Sequence, residues 1–176
     1  MSYQTDRQWS DQFLFAIRNI VGPRLLVPSP LEVDTKEAAD LIVMRARDMT
    51  IACRIRRYGY ADRYPWQFTI RGHRDSGART ELAKIVEGWG DWMFYGHASL
   101  DHGSLDKWFL IDLHEWRAEL ARDAWRAANS KPQRHSQSLR LIPNGDGTHF
   151  AAFDVRNFPA TLLIASSHDV PRAEVA

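Results

Sequence analysis

The sequence predicts a mixed α/β protein of the α+β kind, in which one central sheet of mixed strand direction carries flanking helices. Short runs with two-residue alternation, at 51–57 and 66–71, are interspersed with stretches of helical spacing such as 80–89. Their order, helix, strands, helix, two strands, helix and hairpin, does not fit a regular βαβ array. A chain of 176 residues suits one domain. We expect residues 1–165 to form that domain and residues 166–176 to be a flexible C-terminal tail.

The composition excludes a membrane-spanning protein. The chain is 44% hydrophobic and 26% charged, and no apolar run approaches the roughly 20 residues that cross a bilayer. The N-terminal residues lack the basic and then apolar layout of a secretory signal, and Cys53 alone cannot form an internal disulfide. We therefore expect a cytoplasmic protein.

The first elements are a helix and an extended segment. Apolar residues recur at helical spacing from Trp9 to Ile20 and predict one amphipathic helix over 6–20, which Gly22-Pro23 ends. Residues 25–31 contain two prolines, which are typical of an edge or extended segment. A short apolar run follows at 41–44.

Two alternating strands come next, at 51–57 and 66–71, and we expect them to be neighbours. The alternation buries Ile51, Cys53, Ile55, Phe68 and Ile70 on one side. It places Arg54, Arg56, Gln67 and Arg71 on the opposite side. The residues between the two strands predict a loop.

The rest of the chain predicts a helix, a strand pair, a second helix and a hairpin. Thr80 is the expected N-cap of the first helix, which Gly88 or Gly90 ends. Strands are expected at 91–98 and 107–113, and a helix at 114–128. The turn sequence Pro-Asn-Gly-Asp-Gly between 139–142 and 148–155 predicts the last hairpin.

Positive charge is concentrated between Arg45 and Arg79. This stretch holds nine Arg, no Lys and three acidic residues, a local excess of six positive charges. The fork of an arginine suits bidentate phosphate contacts, whereas polar alternation is also normal on the wet face of a sheet. The residues predicted to contact nucleic acid, taken first as DNA, are Arg54, Arg56, Arg57, Arg71 and Arg74.

Carboxylates cluster just before these arginines. Asp34, Glu37 and Asp40 are the candidate ligands of a Mg²⁺ ion. Such an ion polarises a phosphoryl oxygen and generates the attacking hydroxide. Asp34 and Asp40, with Arg54 as the neutralising cation, are therefore the candidate catalytic residues, and the alternative for the two aspartates is helix capping or an ion pair with an arginine.

Residues 6–97 resemble the PD-(D/E)XK nuclease superfamily. The resemblance is carried by Ala39-Asp40-Leu41-Ile42-Val43, by Ile51-Ala52-Cys53-Arg54-Ile55-Arg56 and by the helix from Thr80. It implies a restriction-endonuclease-like core that binds nucleic acid and cleaves phosphodiesters with Mg²⁺. The superfamily's acid-x-Lys triplet is replaced here by Ala52-Cys53-Arg54, and Asp34-Thr35-Lys36 precedes Asp40, so the implied active site is degenerate.

Segments such as IACRIRR, FTIR and TELAKIVEGWGDWMFYG also resemble phage and actinobacterial proteins. This second resemblance implies no mechanism. It leaves open an alternative function, that of a non-enzymatic phage accessory or inhibitor protein that binds a host protein through its arginine-rich face. The seven histidines show neither H-x-x-x-H spacing nor a Cys partner, so the sequence predicts no zinc site.

Overall fold

The structure is a computed structural model that describes residues 3–28, 41–43, 49–101, 103–129 and 139–171. Both helices and strands are well represented, so the predicted mixed α+β class is confirmed. The chain divides into two compact units, Met1–Met49 and Thr50–Ala176.

The described residues of the first unit form two α-helices and a short β-ladder. Helices α1 (Tyr3–Asp11) and α2 (Leu14–Val21) precede a 3₁₀ turn at Gly22–Leu25, and strands β1 (Leu26–Pro28) and β2 (Leu41–Val43) pair antiparallel. The prediction of one helix over 6–20 is wrong, because the backbone N–H of Phe13 bonds to the carbonyl of Ser10 in a tighter turn. Apolar spacing does not reveal such a local change of hydrogen bonding.

The larger sheet of the second unit has four strands in the order β3-β5-β6-β9. These strands are β3 (Ile51–Arg56), β5 (Trp92–Ala98), β6 (Leu105–Asp112) and β9 (Leu163–Ser166). Strand β3 runs parallel to β5, and the other pairs are antiparallel. All residues of β5 are buried, as expected for an inner strand. The backbone N–H of Ser167 donates to the carbonyl of Trp108 and continues the edge beyond β9.

The second sheet is antiparallel, with β4 (Gln67–Arg74), β8 (Thr148–Asp154) and β7 (Leu141–Asn144) in that order. Strands β3 and β4 therefore lie in different sheets, so the prediction that they are neighbours is wrong. The single central sheet is corrected to two sheets in this unit. Alternation shows which residues of a strand share a face, but it does not identify the strand beside it.

The described part of this unit also has the α-helices α3 (Tyr60–Arg63), α4 (Glu81–Val86) and α5 (Leu113–Asn129) and two 3₁₀ turns, Val155–Asn157 and Ala160–Leu162. The predicted cap is confirmed, because the Thr80 hydroxyl accepts a hydrogen bond from the N–H of Ala83 at 3.5 Å. Gly88 follows α4 with φ +100°, a conformation that glycine adopts without strain. None of the helices in the described ranges is long and apolar enough to cross a membrane.

The core joins side chains from both sheets and from α5. Phe68 and Ile70 are fully buried, as predicted. Cys53 is exposed, so the prediction that it lies in the core is wrong. On β3, Ile55 is 8% exposed and thus buried as predicted. Ala52, which is partly buried, packs against this cluster from the other side of the strand, the side that it shares with Arg54 and Arg56. The central members of the cluster are Phe68, Ile70, Met93, Tyr95, Phe109, Ile111, Trp116, Ala151 and Phe153.

Candidate functional site

A cleft of about 520 Å³ opens between the two sheets of the second unit. One side is the face of the β4-β8-β7 sheet that points away from the core, and another is formed by β3 and β5. The segment 58–64, which includes α3, lines a further part of the cleft. The lining residues are Arg56, Tyr58, Gly59, Tyr60, Arg63, Tyr64, Gln67, Thr69, Tyr95, His97, Ile142, Asn144, Phe150 and Ala152.

Two arginines lie against tyrosine rings in this cleft. The guanidinium carbon of Arg56 is 4.7 Å from the ring centroid of Tyr60, and that of Arg63 is 5.4 Å from the ring centroid of Tyr64. Both distances fall within the range of cation–π contacts. These contacts orient the guanidinium groups and leave their N–H edges available to a ligand.

The aromatic rings of the segment 58–64 are exposed. Tyr58, Tyr60 and Tyr64 are 46%, 41% and 37% accessible to solvent. Gly59 has φ +87° immediately before α3, a left-handed conformation that favours glycine and redirects the chain between Tyr58 and Tyr60. The local fold therefore presents several rings at the mouth of the cleft.

His97 is a buried histidine in the lining of the cleft. Burial, followed by the positive charge of Arg56, lowers its pKa from 6.5 to about 4, against the effect of a hydrogen bond with the backbone of Lys107. Its Nδ1 is buried and has no hydrogen-bond partner among the described residues. The ring is therefore neutral at pH 7, with an unused Nδ1 beside the cleft.

Hydroxyl and amide groups form part of the lining of the cleft. The hydroxyls of Thr69 and Tyr95 lie 3.2 Å apart, and Asn144 donates to the Thr148 hydroxyl at 3.1 Å. No carboxylate lines the cleft among the residues that the structure describes. Two arginines next to exposed rings, in a described lining that has no carboxylate, can bind a ligand that combines an anionic group with a planar one.

The predicted nucleic-acid-binding arginines do not all meet at this site. Arg56 lines the cleft, whereas the Arg54 guanidinium is paired with the Glu81 carboxylate at 2.8 Å. The same carboxylate accepts the backbone N–H of Arg71 at 3.1 Å. Burial, followed by the charge of Arg54, lowers the pKa of the Arg71 guanidinium. Arg54 and Arg71 thus form a second group around Glu81.

The other predicted site residues lie elsewhere. Arg57 is exposed at the end of β3 and is absent from the cleft lining. Arg74 ends β4, and its Nε is buried without a hydrogen-bond partner in the described part of the chain. Asp34, Glu37 and Asp40 lie outside the described residues, so the Mg²⁺ site and the two catalytic aspartates stay predictions.

Sequence reasoning missed the contribution of the segment 58–64. It treated these residues as a plain loop, although the letters YGYADRY interleave three tyrosines with Arg63. That interleaving was a readable indication of a cationic and aromatic surface. The role of His97 was not readable, because its burial depends on how the sheets assemble.

A second cluster contains possible metal ligands. His73, Asp75 and His149 each offer one ligand atom, and these atoms lie within 4.8 Å of one another. The sequence predicted no zinc site because these residues show no characteristic spacing. Their proximity comes from the pairing of His73 on β4 with His149 on β8.

Comparisons with protein-family models, with curated proteins and with solved structures found no significant match. The function of this chain is therefore inferred from its own residues.

Proposed function

We propose that this protein binds nucleic acid, and that its cleft holds a single-stranded segment. The observation that carries the proposal is the placement of Arg56 and Arg63 beside exposed tyrosine rings in a cleft whose described lining has no carboxylate. Arginine neutralises phosphates, and tyrosine rings stack on bases that have left a duplex.

The size of the cleft is consistent with a short segment of a nucleic-acid strand. A volume of about 520 Å³ is within the range of about 300–1,000 Å³ that small-ligand sites occupy. One or two nucleotides would fill it, and the rest of a strand would pass over the exposed rings.

The experiment is a titration of fluorescently labelled oligonucleotides, followed by anisotropy at several salt concentrations. Single-stranded DNA, single-stranded RNA and duplex DNA of the same sequence are compared. The expected result is preferential single-strand binding that weakens linearly with the logarithm of salt concentration. Free mononucleotides are added as competitors. If they displace the labelled oligonucleotide, the cleft needs no more than one nucleotide for binding.

Variants assign that binding to the cleft. Arg56→Ala and Arg63→Ala should each flatten the salt slope by about 0.7, the value for one phosphate contact on a single strand. Tyr60→Ala should cost about 1–3 kcal/mol of binding free energy through lost stacking. Arg126→Ala is the matched control, because Arg126 is an exposed, ion-paired arginine on α5 outside the cleft.

Two outcomes would contradict the proposal. The absence of oligonucleotide binding at low salt would remove nucleic acid as the partner and favour a host protein that contacts the same cations. Binding that is equally weakened by Arg126→Ala and Arg56→Ala would mean that the cleft is not the contact surface. Arg54→Ala tests whether phosphates also contact the arginines around Glu81. If they do, this variant should also flatten the dependence of oligonucleotide affinity on salt concentration.

A further inference from the structure

His73 and His149 face each other across two strands of the smaller sheet. They are register partners in the β4–β8 ladder, and their ring centroids are 5.2 Å apart. The register shifts between Arg71 and His73, which is the mark of a β-bulge. A bulge changes which side chains share a face, and here it brings the two imidazoles to the same place.

Asp75 completes the group from the end of β4. Its carboxylate Oδ1 is 3.7 Å from His73 Nε2, and its backbone N–H donates to the carbonyl of Gly147 at 3.0 Å. Gly147 has φ +74°, and a Cβ on it would lie 2.9 Å from Asp75 Oδ2. A glycine in the β7–β8 turn thus leaves room for the carboxylate beside the histidines.

The distances suit a small ion after minor side-chain rotation. Ligand atoms around a tetrahedral ion with bonds of about 2.0–2.1 Å are about 3.3 Å apart, and the three atoms here lie within 4.8 Å of one another. The ring of His149 also has a buried Nδ1 without a hydrogen-bond partner in the described residues. A buried polar atom without a partner is uncommon in a folded protein.

We propose that His73, Asp75 and His149 bind a divalent transition-metal ion of the zinc class. Two imidazoles and one carboxylate favour such an ion over Mg²⁺, which prefers oxygen ligands. The side chains of His73 and Asp75 are 52% and 67% exposed, so the remaining coordination positions are open to water or to an added ligand.

This site is separate from the cleft proposed to bind nucleic acid. Phe150 lines the cleft, and His149 precedes it in the same strand, so the two side chains point to opposite faces of the sheet. The metal proposal therefore does not depend on the proposed function, and each can fail without the other.

The test uses the full chain without a histidine tag. Co²⁺ is the spectroscopic probe, because its d–d absorption reports imidazole and carboxylate ligands, and Zn²⁺ binding is measured by calorimetry. We expect one ion per chain, displacement of Co²⁺ by Zn²⁺, and no displacement by Mg²⁺. His73→Ala and His149→Ala should each weaken Zn²⁺ binding by at least about tenfold, the lower range for disturbing a metal shell.

Asp75→Asn is the variant that keeps the test decisive if a histidine variant unfolds, because it removes one ligand charge from an exposed side chain. His114→Ala is the matched control, since His114 forms a histidine–aspartate pair with Asp91 at 3.2 Å outside this cluster. Zn²⁺ affinity that is unchanged in Asp75→Asn and in the His73→Ala variant would overturn the proposal. So would an equal loss in His114→Ala.

Discussion

At the scale of single residues, His97 shows how the fold sets a protonation state. It is 1% exposed on a fully buried strand, and its ring packs edge to face with Tyr95 at 5.5 Å between centroids. Burial opposes the charged form of the imidazole, and the nearby cations Arg56 and Lys107 oppose it further. His97 can therefore accept a hydrogen bond at neutral pH.

The lowered pKa of His97 predicts a pH dependence of stability. Between pH 6.5 and about 4 the unfolded chain takes up a proton that folded His97 does not, so the free energy of unfolding falls as the pH falls through this range. The full contribution is present above pH 6.5, and the loss approaches about 3 kcal/mol near pH 4 at 1.36 kcal/mol per pKa unit.

The measurement is urea denaturation of wild type and His97→Gln at intervals from pH 7.5 to 4. Glutamine does not titrate, so the stability of the variant should fall less steeply over this range. The comparison concerns the slope with pH, which is informative even if the variant is less stable overall. Parallel curves for the two proteins would show that His97 titrates alike in both states.

At the scale of elements, the first turn of α4 links two sheets. Glu81 is the first residue of this helix, and its carboxylate binds the Arg54 guanidinium of β3 and the backbone N–H of Arg71 on β4. Thr80, the cap, donates its hydroxyl proton to the carbonyl of Gly72 at 3.1 Å. The start of this helix thus connects one strand of each sheet through side-chain and backbone hydrogen bonds.

We expect Glu81→Gln to lower the free energy of unfolding by about 1–3 kcal/mol, the usual cost of leaving a partly buried charged group without its partner. The side chains of Arg54 and Glu81 are only 18% and 28% exposed. Glu87→Gln is the control, because its pair with Arg79 is about half exposed and should contribute no more than about 1 kcal/mol. Equal losses in the two variants by chemical denaturation would contradict this account.

The elements also show what sequence can and cannot predict. The Thr80 cap, the glycine after α4 and the last hairpin depend on nearby residues, and all three are present as predicted, although β7 (Leu141–Asn144) extends into the predicted turn. Which strands pair and which faces pack together depend on distant parts of the chain. The same alternation on β3 allows either Cys53 or Ala52 to pack against the core, and only the assembled sheets decide between them.

At the scale of the whole molecule, the predicted site residues are incomplete because local sequence does not specify which distant residues come together. Arg56 was predicted as a ligand contact and does line the cleft, but its companions Arg63 and His97 come from other elements. The grouping of His73 with His149 requires the β4–β8 pairing, which no local pattern specifies. The sequence indicates which residue types could bind a ligand, but it does not indicate which of them lie close together in the folded chain.

The sequence-based Mg²⁺ site at Asp34, Glu37 and Asp40 yields a prediction for the intact chain. A ligand bound only by the folded state adds RT ln(1 + [L]/Kd), about 2.7 kcal/mol at one hundred times the Kd. We expect Mg²⁺ to raise the thermal midpoint of wild type, and Asp40→Asn to abolish both this shift and any oligonucleotide cleavage.

Glu32→Gln is the control for that experiment, because Glu32 belongs to the same acidic stretch but is not a predicted ligand. An equal Mg²⁺ response in wild type and Asp40→Asn would refute the assignment of Asp40. Cleavage that persists in the Asp34→Asn, Asp40→Asn double variant would place the chemistry at other residues.

The parallel pairing of β3 with β5 has a consequence for how the chain acquires its structure. Thr50 and Asp91, which bond just before the two strands begin, are 41 residues apart, whereas β5 and β6 are joined by a short hairpin connection. Closing the longer loop costs more chain entropy, and this cost comes before the stabilising contacts between the strands form. Topologies of this kind therefore fold slowly. The local hairpins are therefore expected to form first. Because Arg56 is carried by β3, the cleft acquires this cation only when the late pairing is complete.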